Sequence, residues 1–255
     1  MTLLRVDHLG KEFGGIHAVE DLNFSINPGD IHSIIGPNGA GKTTLFNLIT
    51  GVYTPSHGKV FFDDDDITGM PTEVLAGYGI SRTFQNLQIF FNMSAVENVM
   101  VGHHLHTDSR FLPSFFGFAA IKKADVECRE FAEQLMCDVG LEQYIGADAS
   151  SMPYGALKWL EIARALAAKP KMMLLDEPAA GLNPIETREI DELIKRIAGT
   201  GVTIVLVEHD MKLVMGVSDH ILVLDSGRKL AEGTAEEIRH NPAVVEAYLG
   251  HGRKD

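Results

Sequence analysis

Gly36-Pro37-Asn38-Gly39-Ala40-Gly41-Lys42-Thr43 is the stretch that decides the fold of this 255-residue chain. It fits the spacing G-x-x-x-x-G-K-[ST] of a phosphate-binding loop. Ile31 to Ile35 before it is short, apolar and β-branched, as a buried strand should be, and Thr44 to Thr50 after it reads as a helix that stops at Gly51. A glycine-rich turn that merely resembled this motif would not need both flanks. The glycines let the backbone curl so that consecutive N–H groups point at phosphate oxygens. The helix N-terminus behind the loop adds a favourable dipole. Gly36, Pro37, Asn38, Gly39, Ala40, Gly41, Lys42, Thr43 and Thr44 are therefore the candidate nucleotide-binding residues. Lys42 reaches toward the β- and γ-phosphates, and the Thr43 hydroxyl is a Mg²⁺ ligand candidate.

The rest of the composition sets limits on that reading. A net charge of −13 argues against a non-specific nucleic-acid binder, which presents basic surface to phosphates. Cys128 and Cys137 form no zinc pattern and suit a reducing cytoplasm. Leu3 to Leu9 alternates like a strand and lacks the apolar core of a signal peptide. No apolar run approaches the length of a membrane span, so service to a membrane is expected from outside the bilayer.

Strands are expected at Leu3–Leu9, Val19–Ile26, Ile31–Ile35, Gly58–Phe62 and Ile80–Phe84, the last ending at Gln85. Asp63-Asp64-Asp65-Asp66 reads as a solvated hairpin turn rather than a cation site. Ser94-Ala95-Val96-Glu97 is a capping box opening a helix, and Lys122–Val139 is a second helix. His103-His104 and His106, without acidic or cysteine partners, read as a polar loop rather than a metal site. Phe111 to Phe118 is either a packed insertion or a contact surface. From Lys171 onward strands and helices alternate again, giving a mainly parallel α/β sheet. The fold expected is a P-loop α/β core, residues 1–86 and 166–255, with an N-terminal antiparallel β subdomain and an inserted helical lobe over 87–165.

The second half of the chemistry follows from strand ends. Lys171 to Leu175 runs as an apolar strand into Asp176-Glu177. Asp176 is placed to hold Mg²⁺ directly or through water. Glu177 points elsewhere and can accept a proton from an attacking water. With Glu177 as the base, water is the acceptor and the reaction is ATP hydrolysis rather than phosphoryl transfer to another substrate. His209 closes the strand Val202–Val207 on the ligand face of a parallel sheet, where it can hydrogen-bond a γ-phosphate. The Gln85 amide can ligate Mg²⁺ or orient water.

These residues together resemble an ABC-transporter ATPase over nearly the whole chain: Gly36 to Thr43, Gln85, Tyr154-Gly155 leading into Leu160 to Ala165, Asp176-Glu177-Pro178, and His209. Longer strings resemble the branched-chain amino-acid transport branch, namely Glu177 to Pro184, Glu208 to Gly216, Arg82 to Asn86 and Ala247 to Gly250. The resemblance implies ATP and Mg²⁺ as cofactors and an ATPase subunit that drives import of branched-chain or related amino acids. It implies Phe13 as the aromatic stacked on adenine and Gln85 as the link to membrane subunits. It also implies a head-to-tail dimer with a second ATPase chain, same or related, in which Tyr154 and Gly155 face the partner's nucleotide. Permease subunits would be the further partners, and the place a peripheral one on the cytoplasmic face of the cell membrane.

The signature segment departs from the usual Leu-Ser-Gly-Gly-Gln, reading Met152-Pro153-Tyr154-Gly155-Ala156. Pro153 has neither a hydroxyl nor a backbone N–H, so phosphate binding there is expected through backbone groups of the following helix. Two other readings stand beside the importer. One is an ATPase moving another cargo, such as an envelope lipid or lipopolysaccharide. The other is a low-turnover regulatory module.

Overall fold

A computed structural model describes residues 2–104 and 117–250. In chain order its elements begin with β1 (Leu4–Phe13), β2 (Ile16–Ile26), β3 (Ile31–Ile35), α1 (Lys42–Ile49), β4 (His57–Phe62), β5 (Asp65–Asp66), α2 (Thr72–Tyr78) and β6 (Ile80–Arg82). There follow α3 (Ala95–Gly102), α4 (Gly117–Asp138), α5 (Tyr154–Ala167), β7 (Met172–Asp176), α6 (Pro184–Gly199) and β8 (Thr203–Val207). The chain continues through α7 (Met211–Val217), β9 (His220–Asp225), β10 (Arg228–Gly233), α8 (Ala235–Arg239) and α9 (Pro242–Gly250). The chain divides into two compact units, Met1–Arg82 with Lys171–Asp255, and Thr83–Pro170.

The first unit holds two sheets. One is antiparallel, in the order β2-β1-β4-β5. Leu4 and Val6 alternate inward along β1 and meet Leu22, Phe24 and Ile26 of β2 and Val60 and Phe62 of β4 in one core. The acidic run splits: Asp63 and Asp64 make the turn, both at positive φ (52° and 68°), while Asp65 and Asp66 pair with Phe62 and Phe61 as β5. Two such residues between antiparallel strands match the right-handed strand twist.

The other sheet runs β10-β9-β3-β8-β7-β6, parallel from β9 to β6 with β10 antiparallel at the edge. Every residue of β3, β7 and β8 is buried, as continuous apolar strands between two covered faces should be. Their carboxyl ends lie side by side, with β8 between β3 and β7. The sequence expectation of an N-terminal antiparallel sheet beside a mainly parallel core is met.

One local expectation is corrected, and two elements, β10 and α2, were not foreseen. The strand expected at Ile80–Phe84 ends at Arg82, because Arg82 turns to a buried carboxylate, so Gln85 lies three residues past β6. β10 escapes the alternation rule because it is a polar edge strand, half exposed, returned by the turn at Ser226 and Gly227 (φ 49° and 80°). α2 is a single short helix after Pro71 with Gly77 inside it, too weak a pattern to read.

The second unit contains α3, α4 and α5. Ser94 caps α3 as expected: its hydroxyl accepts from the Glu97 N–H, and the Glu97 carboxylate accepts from the Ser94 N–H at 2.8 Å. α3 crosses α5 closely enough that a side chain at Gly102 would stand 2.0 Å from the Arg164 carbonyl oxygen. His103 stacks on Phe131 with ring centroids 4.4 Å apart, and its Nδ1 lies 3.1 Å from the Ala167 carbonyl, a packed helix end. Among the described residues no group of three His, Cys, Asp or Glu side chains could hold a metal ion. His106 and Phe111 to Phe116 lie outside the described residues.

Candidate nucleotide site

The loop Gly36–Gly41 leaves β3 and wraps the first turn of α1. Two glycines are there because nothing else fits. A Cβ on Gly36 (φ 150°) would stand 2.1 Å from the Leu224 carbonyl oxygen, and one on Gly41 (φ 98°) 2.5 Å from that of Ala18. The loop is closed by Ala40 N–H donating to the Pro37 carbonyl at 3.1 Å and Gly227 N–H donating to Ala40 at 3.1 Å. Gly41 sits at the cap position and brings no side chain to satisfy the first N–H groups of α1, and no acidic residue occupies its first turn. Those donors and the helix dipole suit an anion. Asn38 and Gly39 stand exposed at the crest, with Thr43 exposed and Thr44 half-buried in the first helical turn.

Lys42 is buried at 7% exposure, and its Nζ donates to the carbonyls of Gly36 at 2.7 Å and Pro37 at 3.1 Å. An ammonium has three donors, so one remains to aim at a phosphate. Burial pulls the Lys42 pKa down, while the carboxylates of Glu177 and Asp176 oppose that shift. The lysine is thus wired to the same acidic strand end that the sequence pointed to.

Asp176 ends β7 and is 5% exposed. Glu177, one residue on, adopts φ 50°, a left-handed conformation costly for a residue other than glycine or asparagine. Its N–H still donates to the Val207 carbonyl at 2.9 Å, so the strand ladder holds the backbone in place. In the Nε2-protonated tautomer, His209 donates to Glu177 Oε1 at 3.0 Å. The structure therefore brings Lys42, Asp176, Glu177 and His209 to the adjacent ends of β3, β7 and β8.

Phe13 ends β1, 43% exposed, edge-on to Tyr53 at 5.3 Å, with Lys11 Nζ 5.0 Å from its ring centroid. An exposed aromatic braced this way offers a face to a planar ring. Tyr53, not singled out by the sequence, carries no separate signal there.

Gln85, Tyr154 and Gly155 belong to the second unit. Gln85 is exposed. Pro153 caps α5 with extended backbone (φ −66°, ψ 157°) and no side-chain hydrogen bond, and no acidic residue follows in the first turn. Tyr154 is exposed at 47%, Gly155 buried. The first-turn amides of a fourteen-residue helix are thus left for an anion without any serine hydroxyl.

Residues 19–180 match the ABC transporter family, more than half of the chain. The chain belongs to the ABC transporter ATPases. Residues 228–254 also match the family described as "Branched-chain amino acid ATP-binding cassette transporter". The chain is 44% identical over 249 residues to the high-affinity branched-chain amino acid transport ATP-binding protein BraF of Pseudomonas aeruginosa, covering 97% of this chain and 98% of that protein. A crystal structure of the ADP conformation of an ATP-binding cassette of an ABC transporter superposes with a TM-score of 0.84 at 32% identity, covering 98% and 99% of the two chains. A dimeric post-hydrolysis cassette bound to ADP and phosphate gives 0.75 at 25% identity over 91% and 99%. This ABC ATPase binds ATP and hydrolyses it. Among the described residues no helix is long and apolar enough to cross a membrane.

Three buried ionic groups of this ABC ATPase escaped the sequence reading. Arg82 Nη2 donates to Asp176 Oδ2 at 3.0 Å, with side chains 10% and 6% exposed, and Nη1 donates to Asn47 Oδ1 at 2.6 Å and Thr50 Oγ1 at 3.1 Å. An arginine inside an apolar strand was the signal, since a buried cation needs a buried partner. Glu161 of α5 accepts from the Phe84 and Gln88 amides at 3.3 and 3.4 Å, on either side of Gln85; burial raises its pKa, and those amides oppose the shift. Glu208 is the third. A magnesium–triphosphate ion fits what is present: a buried ammonium, uncapped helix amides, the Thr43 hydroxyl and one strand-end carboxylate, since Mg²⁺ takes few protein ligands and completes its shell from phosphates and water.

Proposed function

We propose that this chain is the ATP-hydrolysing subunit of a membrane importer for branched-chain amino acids. The observation that carries the cargo is its 44% identity to BraF along 97% of the chain, joined to the branch-specific match at residues 228–254. Gly36 to Thr44 cradle the triphosphate, and Lys42 neutralises charge on its outer phosphates. Thr43, Asp176 and Gln85 would hold Mg²⁺, which supplies charge neutralisation at the β- and γ-phosphates when bound. Water attacks the γ-phosphorus, its proton passes to Glu177, and ADP leaves as the γ-phosphate oxygen bond breaks. His209 holds the γ-phosphate and orients Glu177, and Phe13 stacks on adenine.

Tyr154, Gly155 and the amides of α5 serve the nucleotide of a second ATPase chain in a head-to-tail dimer, and the pair sits peripherally on the inner face of the membrane against permease subunits. The dimeric cassette found among its structural relatives supports that assembly. The test is uptake of labelled leucine by cells lacking this chain. Re-supplying the wild type should restore uptake, and Lys42→Ala should not. Uptake that is unchanged without the chain would assign it another cargo.

A further inference from the structure

Outside the residues already assigned, one buried carboxylate takes backbone amides from two different loops: Glu208, the last residue before His209. It is 5% exposed. Its Oε1 accepts from the Ala179 N–H at 2.9 Å. Its Oε2 accepts from the N–H of His209 at 2.7 Å and of Asp210 at 3.3 Å. Ala179 lies two residues past Glu177, in the segment that carries the chain from β7 toward α6. One side chain therefore bridges the backbones of the two loops that carry the base and the phosphate sensor.

The bridge matters because it cross-links two loops that are each anchored locally, one by the Glu177 N–H donating to Val207 at 2.9 Å and the other by Asp210 accepting from the Lys212 and Leu213 amides at 2.8 and 3.3 Å. Glu177 is held at φ 50°, and its loop continues through tight turns, with Ala180 N–H donating to Glu177 at 3.1 Å and Leu182 N–H to Ala179 at 3.1 Å. His209 and Glu177 meet through side chains at 3.0 Å, in a contact whose His side is 48% exposed. A hydrogen bond between partly exposed side chains fixes distance poorly unless the backbones behind it are fixed. A carboxylate fits this task because it has two oxygens, each able to accept in its own direction, and charge-assisted acceptors bind amides more strongly than neutral ones.

We propose that Glu208 is a positioning residue for hydrolysis, setting the Glu177–His209 geometry by tying the Ala179 and His209 backbones to one carboxylate. The inference rests on the assignment of Glu177 and His209 to the hydrolytic step. Glu208→Gln tests it, because a carboxamide has one accepting oxygen and presents N–H donors where amides already point. In purified full-length chain, Glu208→Gln should lower kcat for ATP about tenfold and leave KM within about twofold, since binding belongs to the Gly36–Thr43 loop. Amide hydrogen exchange should quicken together in peptides covering 177–182 and 208–212, with the rest of the chain unchanged.

Should the glutamine variant not fold, Glu208→Asp, which keeps the charge but is one methylene too short to span both loops, carries the same measurements. A kcat within twofold of wild type in a folded variant would overturn the role, as would an equal rise in KM. If wild-type turnover survives Lys42→Ala, the hydrolytic assignment itself fails. If Lys42→Ala abolishes turnover while Glu208→Gln matches wild type, only the positioning role fails.

Discussion

His32 sits in the middle of β3, the strand that delivers the phosphate loop, and is 1% exposed. Its ring stacks on Phe24 at 6.1 Å and lies 6.3 Å from the ring of His220. Its Nε2 is buried without a hydrogen-bond partner. Burial, aided by His220, pushes its pKa down from 6.5 to about 4. The unfolded chain then binds a proton between pH 6.5 and 4 that the folded chain refuses. Stability from this residue is fully present above pH 6.5, falls as the pH drops through that window and levels off below 4. At about 1.36 kcal/mol per pK unit, the loss is roughly 2 kcal/mol by pH 5, about 3 kcal/mol by pH 4 and about 3.4 kcal/mol once it levels off.

The perturbation is His32→Leu, which fills a similar volume and removes the unpaired nitrogen. Urea denaturation at pH 7 and pH 5 reads the result. The wild type should lose about 2 kcal/mol more than the variant between those two values. At pH 7 the variant should be at least as stable, because an unsatisfied buried polar atom costs about 1–3 kcal/mol. Equal pH dependence in both proteins, or a variant markedly less stable at pH 7, would refute a neutral, unpartnered His32.

Arg82→Met should cost about 3–5 kcal/mol of stability in chemical denaturation, since it leaves Asp176 buried without its guanidinium; a change under 1 kcal/mol would mean the pair is dispensable. Gly36→Ala places a Cβ 2.1 Å from the Leu224 carbonyl, so ATP affinity measured by calorimetry should fall at least about tenfold, and unchanged binding would contradict the loop geometry. Asn183→Ala removes the side-chain acceptor that caps α6 through the Ile185 and Glu186 amides at 2.9 and 3.1 Å, and thermal denaturation should register a loss of about 1 kcal/mol.

The parallel core was legible because β3, β7 and β8 are buried at every position and therefore read as unbroken apolar runs. The chemistry was legible because each of those strands ends abruptly in residues that a core would not choose: Gly36, Asp176-Glu177 and His209. What stayed hidden has two physical causes. α2 and β10 draw their stability from neighbours, and a half-exposed polar edge strand or a seven-residue helix carries almost no periodicity of its own. Arg82, Glu161 and Glu208, each buried with partners of its own, stayed hidden because a charge is read as surface until its partner is known. Arg82 and Asp176 are 94 residues apart in sequence, and Glu208 meets Ala179 across 29. The Arg82 pairing also explains the misplaced end of β6, whose last residue turns to Asp176 instead of continuing toward Gln85.

Hydrolysis by water with Glu177 as the base is the claim on which the other assignments depend. Phosphate release by Glu177→Gln at saturating ATP tests it most directly, because the substitution keeps the size and position of the side chain and removes only its ability to take the proton. The account predicts a fall of at least about 100-fold, the usual contribution of a general base, with ATP still bound. Turnover within tenfold of wild type would contradict it.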